Sequence, residues 1–341
     1  MSDGRSRLGI IEDQVFVLSI AEGFFGTSVL LALLDLDVIE TIGEQEKSVT
    51  DLAADLDLPE NRLHRLLNAG VVTGLLESED ATSYRLSPPC RSVLLSTTVE
   101  GYLGDWLTNM TMFRTALSGL DEAVRTSRPS VNPRRAIGED PEQTRDFTLA
   151  MHNYAALRGR ELARFLNTSG ARSLLDLGCG PGTYAFHLGT ANPDLDLYLL
   201  DSSGVLEVTR EIQGRFELSN EVNYLPLDVT RDQIPGSYDI VLVSNTLHML
   251  GEANSRTLIR GLYDHVNDGG SLVIQAQFLN DDGVGGRWPV FLDLVQMCIT
   301  EEGRNHTVAE TIQWMTEAGF RDIEYQPMSL ANTNSFLRGH R

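Results

Sequence analysis

The stretch Ser173-Leu174-Leu175-Asp176-Leu177-Gly178-Cys179-Gly180-Pro181-Gly182-Thr183 is an apolar run that ends in an acid and then in glycines at every second position. Both faces of the run are apolar, which predicts a buried parallel strand. The glycines let the backbone turn sharply and come close to a ligand with no Cβ in the way. Behind them, Tyr184-Ala185-Phe186-His187-Leu188 resumes at helical spacing. The unit is therefore strand, tight turn, helix, with free backbone N–H groups at the helix start.

Working outward, the spacing narrows the ligand. A dinucleotide fingerprint needs glycine at the first, third and sixth positions. Here the sixth is Thr183, and Pro181 sits inside the turn, so a pyrophosphate is not favoured. A second apolar run, Leu195 to Leu200, ends in Asp201, 19 residues after Gly182. An acid at that place can accept both hydroxyls of an adenosine ribose. A third run, Val222 to Leu227, ends in Asp228-Val229. A fourth, Tyr238 to Val243, ends in Ser244-Asn245-Thr246-Leu247-His248.

Four strand ends carrying Gly-x-Gly-x-Gly, Asp, Asp and His resemble the class I S-adenosylmethionine (SAM) methyltransferases, closely over about residues 170–280. The competing reading is a doubly wound domain that binds some other nucleotide.

At 341 residues the chain is long enough for two domains with their own cores. With 42% hydrophobic and 22% charged residues, disorder is not expected. The formal net charge of -21 repels nucleic acid and anionic membranes. Lys47 is the one lysine among 27 basic residues, which a GC-rich coding bias explains. Cys90, Cys179 and Cys298 are scattered and odd in number, so no disulfide framework and a reducing, cytoplasmic setting are expected. No Cys/His spacing matches a zinc site, and no metal is expected. The N-terminus lacks a basic segment followed by an apolar one. Leu30 to Leu36 is apolar, but it contains Asp35 and is too short for a bilayer span.

Residues 12–36 carry a helical pattern with Phe16, Phe24, Phe25, Val29, Leu30, Leu33 and Leu34, apolar on more than one face. A second subunit is the expected cover, which predicts a homodimer through these helices. Ser48-Val49-Thr50-Asp51 opens a short capped helix, and Pro59 opens another that runs to about Val72. Leu75-Leu76-Glu77 and Ser83-Tyr84-Arg85-Leu86 read as a hairpin. This is a winged-helix plan, in which Arg62, His64 and Arg65 would face DNA. Residues 1–100 hold 17 acids against 7 bases, a net charge of -10, so a scaffold is favoured over a DNA reader.

Further helices are expected over residues 101–127 and 141–166, separated by Arg128-Pro129-Ser130-Val131-Asn132-Pro133. Trp106, Met110 and Phe113 recur at helical spacing, as do Phe147, Met151 and Tyr154. Such stripes are usually core, but just before a cofactor domain they also suit the walls of a pocket for a flat apolar substrate. After His248 come a helix to about His265, a fifth strand over Ser271 to Gln277, and a Gly-rich loop from Asp281 to Gly286. A helix with Trp288 and Phe291 follows, then one capped by Thr307 and ending at Gly319, then two terminal strands.

Taken together, the chain resembles small-molecule O-methyltransferases of the plant caffeate and bacterial polyketide-tailoring type. The resemblance implies an α/β fold: a Rossmann-like, doubly wound SAM domain over 167–341, preceded by an all-α winged-helix dimerisation domain over 1–100 and substrate-pocket helices over 101–166. It implies that Gly178, Gly180 and Gly182, with Asp176 beneath and Ser244 nearby, line the methionine end of SAM. Asp201 would hold the ribose, and Asp228 with Val229 the adenine. His248 falls where the family places its general base. Trp106, Met110, Phe147, Met151, His152, Asn245, Trp288 and Phe291 would contact the acceptor, with His152 a possible second base.

Two departures stand out. The family usually follows this His with Asp and Trp, where this chain has Met249-Leu250. It also usually places a Glu in the fifth strand, where this chain has Ala276 flanked by Gln275 and Gln277. Either glutamine would be a neutral substitute for the orienting acid. A base without those carboxylates has an unfixed tautomer and a less stabilised imidazolium. C- or N-methylation, or SAM binding without methyl transfer, therefore stand beside O-methylation. His306, in a polar segment, is expected to be solvated.

Overall fold

The structure, a computed structural model, describes residues 7–97, 101–131, 140–228, 232–328 and 334–341, with the side chains of residues 7–9 left aside. The chain divides into two compact units, residues 1–108 and 109–341.

In the first unit the apolar N-terminal stretch forms α1 (Arg7–Ala21) and α2 (Gly23–Asp35), two helices divided at Glu22 where one was expected. Next come α3 (Val38–Ile42), β1 (Lys47–Ser48), α4 (Val49–Asp55) and α5 (Glu60–Val72). β2 (Leu76–Glu77), β3 (Ser83–Leu86) and α6 (Pro88–Leu94) follow. Ser48 caps α4 by accepting the Asp51 N–H at 3.1 Å. The expected hairpin forms, and β1 joins it in a small antiparallel sheet of order β1-β3-β2. Leu33, Leu52, Leu67 and Tyr84 are fully buried and fix these helices to the sheet. Outside that core, Ile11, Val15, Phe16, Val17, Ile20, Phe24 and Phe25 are each more than half exposed. Residues 10–35 are, by length and composition alone, apolar enough to cross a membrane, with 11% of the stretch buried.

α7 (Gly104–Leu117) crosses the boundary between the units. The second unit then holds α8 (Leu120–Thr126), α9 (Pro141–Phe165), β4 (Ser173–Leu177), α10 (Thr183–Ala191), β5 (Asp196–Asp201) and α11 (Ser203–Gln213). β6 (Val222–Pro226), β7 (Tyr238–Ser244), a 3₁₀ turn (Leu247–Met249), α12 (Glu252–Leu262) and β8 (Val266–Ala276) come next. The chain closes with α13 (Arg287–Ile299), α14 (Val308–Ala318), β9 (Arg321–Pro327) and β10 (Ser335–His340). Asp140 caps α9 through the Glu142 and Gln143 N–H groups. Thr307 and Glu310 form a reciprocal capping box on α14, and Gly319, at φ 106°, ends it.

The sheet order is β6-β5-β4-β7-β8-β10-β9. The first five strands are parallel, and β10 is antiparallel to both its neighbours. Alternate residues of one strand feed opposite cores. Leu174 packs with α9, α10 and α11, while Leu175 and Leu177 pack with α12 and α14. Burial on both faces is why these strands read as unbroken apolar runs. Strand order reverses between β4 and β7, which places the ligand crevice at their carboxyl ends.

Candidate active site

The glycine turn after β4 is fully left-handed, with φ of 69°, 51° and 70° at Gly178, Gly180 and Gly182. Two of the glycines are required by packing as well. A Cβ on Gly182 would lie 2.8 Å from the Phe186 ring, and one on Gly178 would lie 3.0 Å from Thr246. A Cβ on Gly180 would meet nothing within 4 Å, so Gly180 fronts open space. Gly178 and Cys179 donate to the Leu200 carbonyl at 2.9 and 3.1 Å, which ties the turn to β5.

Around the turn sit the acids. Asp176 is 1% exposed, and neither carboxyl oxygen has a partner. Burial, reinforced by Asp201, pushes its pKa up to about 8, so it holds its proton at neutral pH. Asp201, at the end of β5, accepts from the Gly180 N–H at 2.9 Å and the Ser202 N–H at 2.7 Å. Burial raises its pKa against those bonds. Asp228, just past β6, is exposed, and its N–H donates to Asp232 at 2.8 Å. Val229 lies outside the described residues.

On the β7 side the crevice is polar. Ser244 Oγ donates to Gln275 Oε1 at 2.9 Å. Asn245, left-handed at φ 51°, reaches the Tyr184 hydroxyl at 3.4 Å with its amide. Gln277 donates to the Tyr154 hydroxyl of α9 at 2.9 Å. These bonds correct one expectation. Gln275 and Gln277 face the α9–α10 side of the sheet, whereas Ala276 between them belongs to the α12–α14 core. Strand alternation denies either glutamine the role of orienting partner for His248.

His248 lies in the 3₁₀ turn after β7 and is half-buried. Its Nδ1 is buried with no partner, and burial together with His306 lowers its pKa to about 4. His306 is not solvated as its polar surroundings suggested. It is 4% exposed, with Nε2 3.1 Å from Ser255 Oγ and 3.2 Å from the Leu247 carbonyl, and its ring lies against Trp314. Neighbouring sequence could not foretell this, because α12 and the segment before α14 meet only in the fold.

The expected acceptor-binding side chains are dispersed. Met110, Phe147, Met151 and Trp288 are half-buried in the second unit, where Trp288 and Phe113 approach to 6.5 Å between ring centres. Phe291 is 46% exposed beneath the Arg287 guanidinium. Trp106 is half-buried on the part of α7 that belongs to the first unit. His152 does not join His248. Its Nδ1 bonds Thr183 Oγ1 at 2.8 Å and its ring meets Phe216 edge-on, so a second-base role finds no support. Burial lowers its pKa to about 4 as well. Among the described residues no cluster of His, Cys, Asp and Glu is arranged to hold a metal ion.

Residues 120–321 match the O-methyltransferase domain, and residues 18–96 match the O-methyltransferase dimerisation domain. The chain belongs to the O-methyltransferase family. It is a SAM-dependent O-methyltransferase. It is 26% identical over 330 residues to the tetracenomycin polyketide synthesis 8-O-methyl transferase of Streptomyces glaucescens, covering 95% of this chain and 96% of that one. It is also 26% identical to the 3-hydroxy-5-methyl-1-naphthoate 3-O-methyltransferase of Streptomyces sahachiroi, with 94% and 93% covered. Human N-acetylserotonin methyltransferase, solved with SAM, shares its fold at a TM-score of 0.87 and 19% identity, over 100% of this chain and 99% of that one. The residues of this O-methyltransferase suit its cofactor: a glycine open to the cleft, a buried carboxyl without partners, and an acid at the tip of β5.

Proposed function

We propose that this enzyme methylates a phenolic hydroxyl on a small aromatic, polyketide-like natural-product intermediate, with His248 as general base. The observation that carries the proposal is the half-buried, uncharged His248 at the carboxyl end of β7. It lies two residues beyond Thr246, whose side chain touches the glycine turn. The kinship with two aromatic O-methyltransferases supports the substrate class.

SAM, when bound, supplies a methyl group on a cationic sulfur, already a strong electrophile. The protein's share is to receive a proton and to align the groups. With Nδ1 buried, Nε2 is the nitrogen left to take the hydroxyl proton. Alignment of oxygen, methyl and sulfur is expected to supply most of the acceleration. A pKa of about 4 keeps the base uncharged throughout the neutral range, at the expense of basicity. Asp176, Gly178, Gly180, Gly182, Asp201, Asp228, Val229 and Ser244 are assigned to the cofactor. Trp106, Met110, Phe147, Met151, Asn245, Trp288 and Phe291 are assigned to the acceptor.

We further propose that the enzyme works as a cytoplasmic homodimer joined through α1 and α2. The match to a dimerisation domain and the exposed apolar side chains of those helices support the dimer. Three buried free cysteines support a reducing compartment.

Incubation with SAM and a panel of phenols tests the reaction, with mass spectrometry reading a gain of one CH2. His248→Ala is expected to lower kcat on the order of 10²-fold with little change in KM. The acid limb of kcat/KM is expected at about pH 4 rather than near the ordinary histidine value. A change confined to KM would make His248 a pocket residue. Methylation at carbon or nitrogen would move the reading to those classes, and an unmethylated, rearranged product would end it.

A further inference from the structure

Acids outnumber bases 48 to 27 in this chain, and several of its arginines pair with them. Arg145 pairs with Glu211, Arg256 with Glu317 and Arg304 with Glu310. Arg158 is not among these pairs. It lies half-buried on α9, its guanidinium carbon 3.7 Å from the centre of the Tyr154 ring. Nη1 donates to the Tyr154 carbonyl at 2.7 Å, Nε is buried without a partner, and no described carboxylate pairs with it. A guanidinium withdrawn from water without a counter-ion is costly, and its fork of donors suits a carboxylate.

The place of this cation is defined by what surrounds it. The Tyr154 hydroxyl takes a hydrogen bond from Gln277, and the adjacent Tyr184 hydroxyl takes one from Asn245 at the tip of β7. Next along α9, Gly159 packs against the Thr183 carbonyl at the start of α10. Arg158 therefore stands beside the β4–β7 crevice. Its charge also opposes the rise that burial imposes on the Tyr184 pKa. The cofactor's direction follows from the sheet. With the ribose at Asp201 on β5 and the adenine beyond β6, the cofactor crosses the turn of β4 and its amino-acid end falls on the β7 side.

We propose that Arg158, with the Tyr184 hydroxyl and the Asn245 amide, receives the carboxylate of the cofactor's methionine moiety. Asn245 thereby passes from the acceptor pocket to the cofactor. The proposal rests on the SAM reading and on Asp201 as the ribose acid.

Titration calorimetry on cofactor-stripped enzyme tests it with S-adenosylhomocysteine and with 5′-methylthioadenosine, which lacks the amino-acid end. Arg158→Gln is expected to weaken S-adenosylhomocysteine binding about 10- to 100-fold, the worth of a charged hydrogen-bonded pair, while leaving methylthioadenosine binding unchanged. Arg158→Lys is expected to recover part of the loss. Tyr184→Phe, which keeps the ring's packing, is expected to show a smaller loss of the same selectivity, and serves if Arg158→Gln does not fold. Equal S-adenosylhomocysteine affinity in wild type and variants overturns the assignment. So does a parallel loss of both ligands, or an unchanged S-adenosylhomocysteine affinity with impaired turnover of carboxylated acceptors. Wild-type enzyme that binds neither ligand would instead refute the SAM reading beneath it.

Discussion

Asp176 combines two features that are seldom found together: complete burial and no hydrogen-bond partner on either oxygen. In the free enzyme it stays protonated up to about pH 8, whereas an unfolded aspartate loses its proton at about 3.9. The native state thus binds more protons than the unfolded state between those values. Its contribution to stability is largest below that window and falls as pH rises through it. A cationic ligand above the turn would favour the carboxylate and expel the proton. Cofactor binding at pH 7 is therefore expected to release close to one proton, read by calorimetry in buffers of different ionisation enthalpy. Asp176→Asn is expected to abolish the release and to flatten the decline of melting temperature between pH 5 and 8. Unchanged proton release in that variant would show that the charge lies elsewhere.

The turn joining β4 to α10 separates folding from binding at the level of one element. Gly182 and Gly180 share a left-handed backbone, so alanine at either strains the chain by about 1–2 kcal/mol. Their surroundings differ. Alanine at 182 would also push into Phe186 and Thr209, whereas alanine at 180 would enter the empty cleft. Gly182→Ala is expected to lower the melting temperature markedly. Gly180→Ala is expected to lose only what that backbone strain costs, a smaller drop, yet bind S-adenosylhomocysteine at least tenfold more weakly. Equal melting temperatures for the two would contradict this division. The glycine pattern made the turn legible in sequence, and the same holds for Thr307 and Gly319 at the ends of α14. It could not show which glycine packs and which faces the ligand, because Thr209, which also walls in Gly182, comes from α11 and meets the turn only in the fold. Nor could it show that Gln275 and Gln277 face away from His248, since that depends on which strand residue meets which core.

For the whole molecule, α1 and α2 leave Phe16, Phe24 and Phe25 about 60% exposed each, an apolar surface too continuous for one subunit in water. Phe16→Glu with Phe24→Glu is expected to convert a dimer into monomers in sedimentation velocity, with the sheet domain still folded. A persisting dimer would place the seam elsewhere, and wild-type chain sedimenting with lipid vesicles would make the stretch a membrane anchor. By itself the sequence determined the order of elements, the parallel sheet, the glycine turn and the acids at its strand ends. These are local patterns, set by side-chain periodicity and backbone freedom within a few residues. Only the tertiary structure decided that His306 is buried against Ser255, that His152 is taken up by Thr183, and that Arg158 stands unpaired beside the crevice. Those outcomes depend on burial and on partners 31 to 51 residues away, or on the lack of a carboxylate partner among the described residues, and no local pattern encodes them.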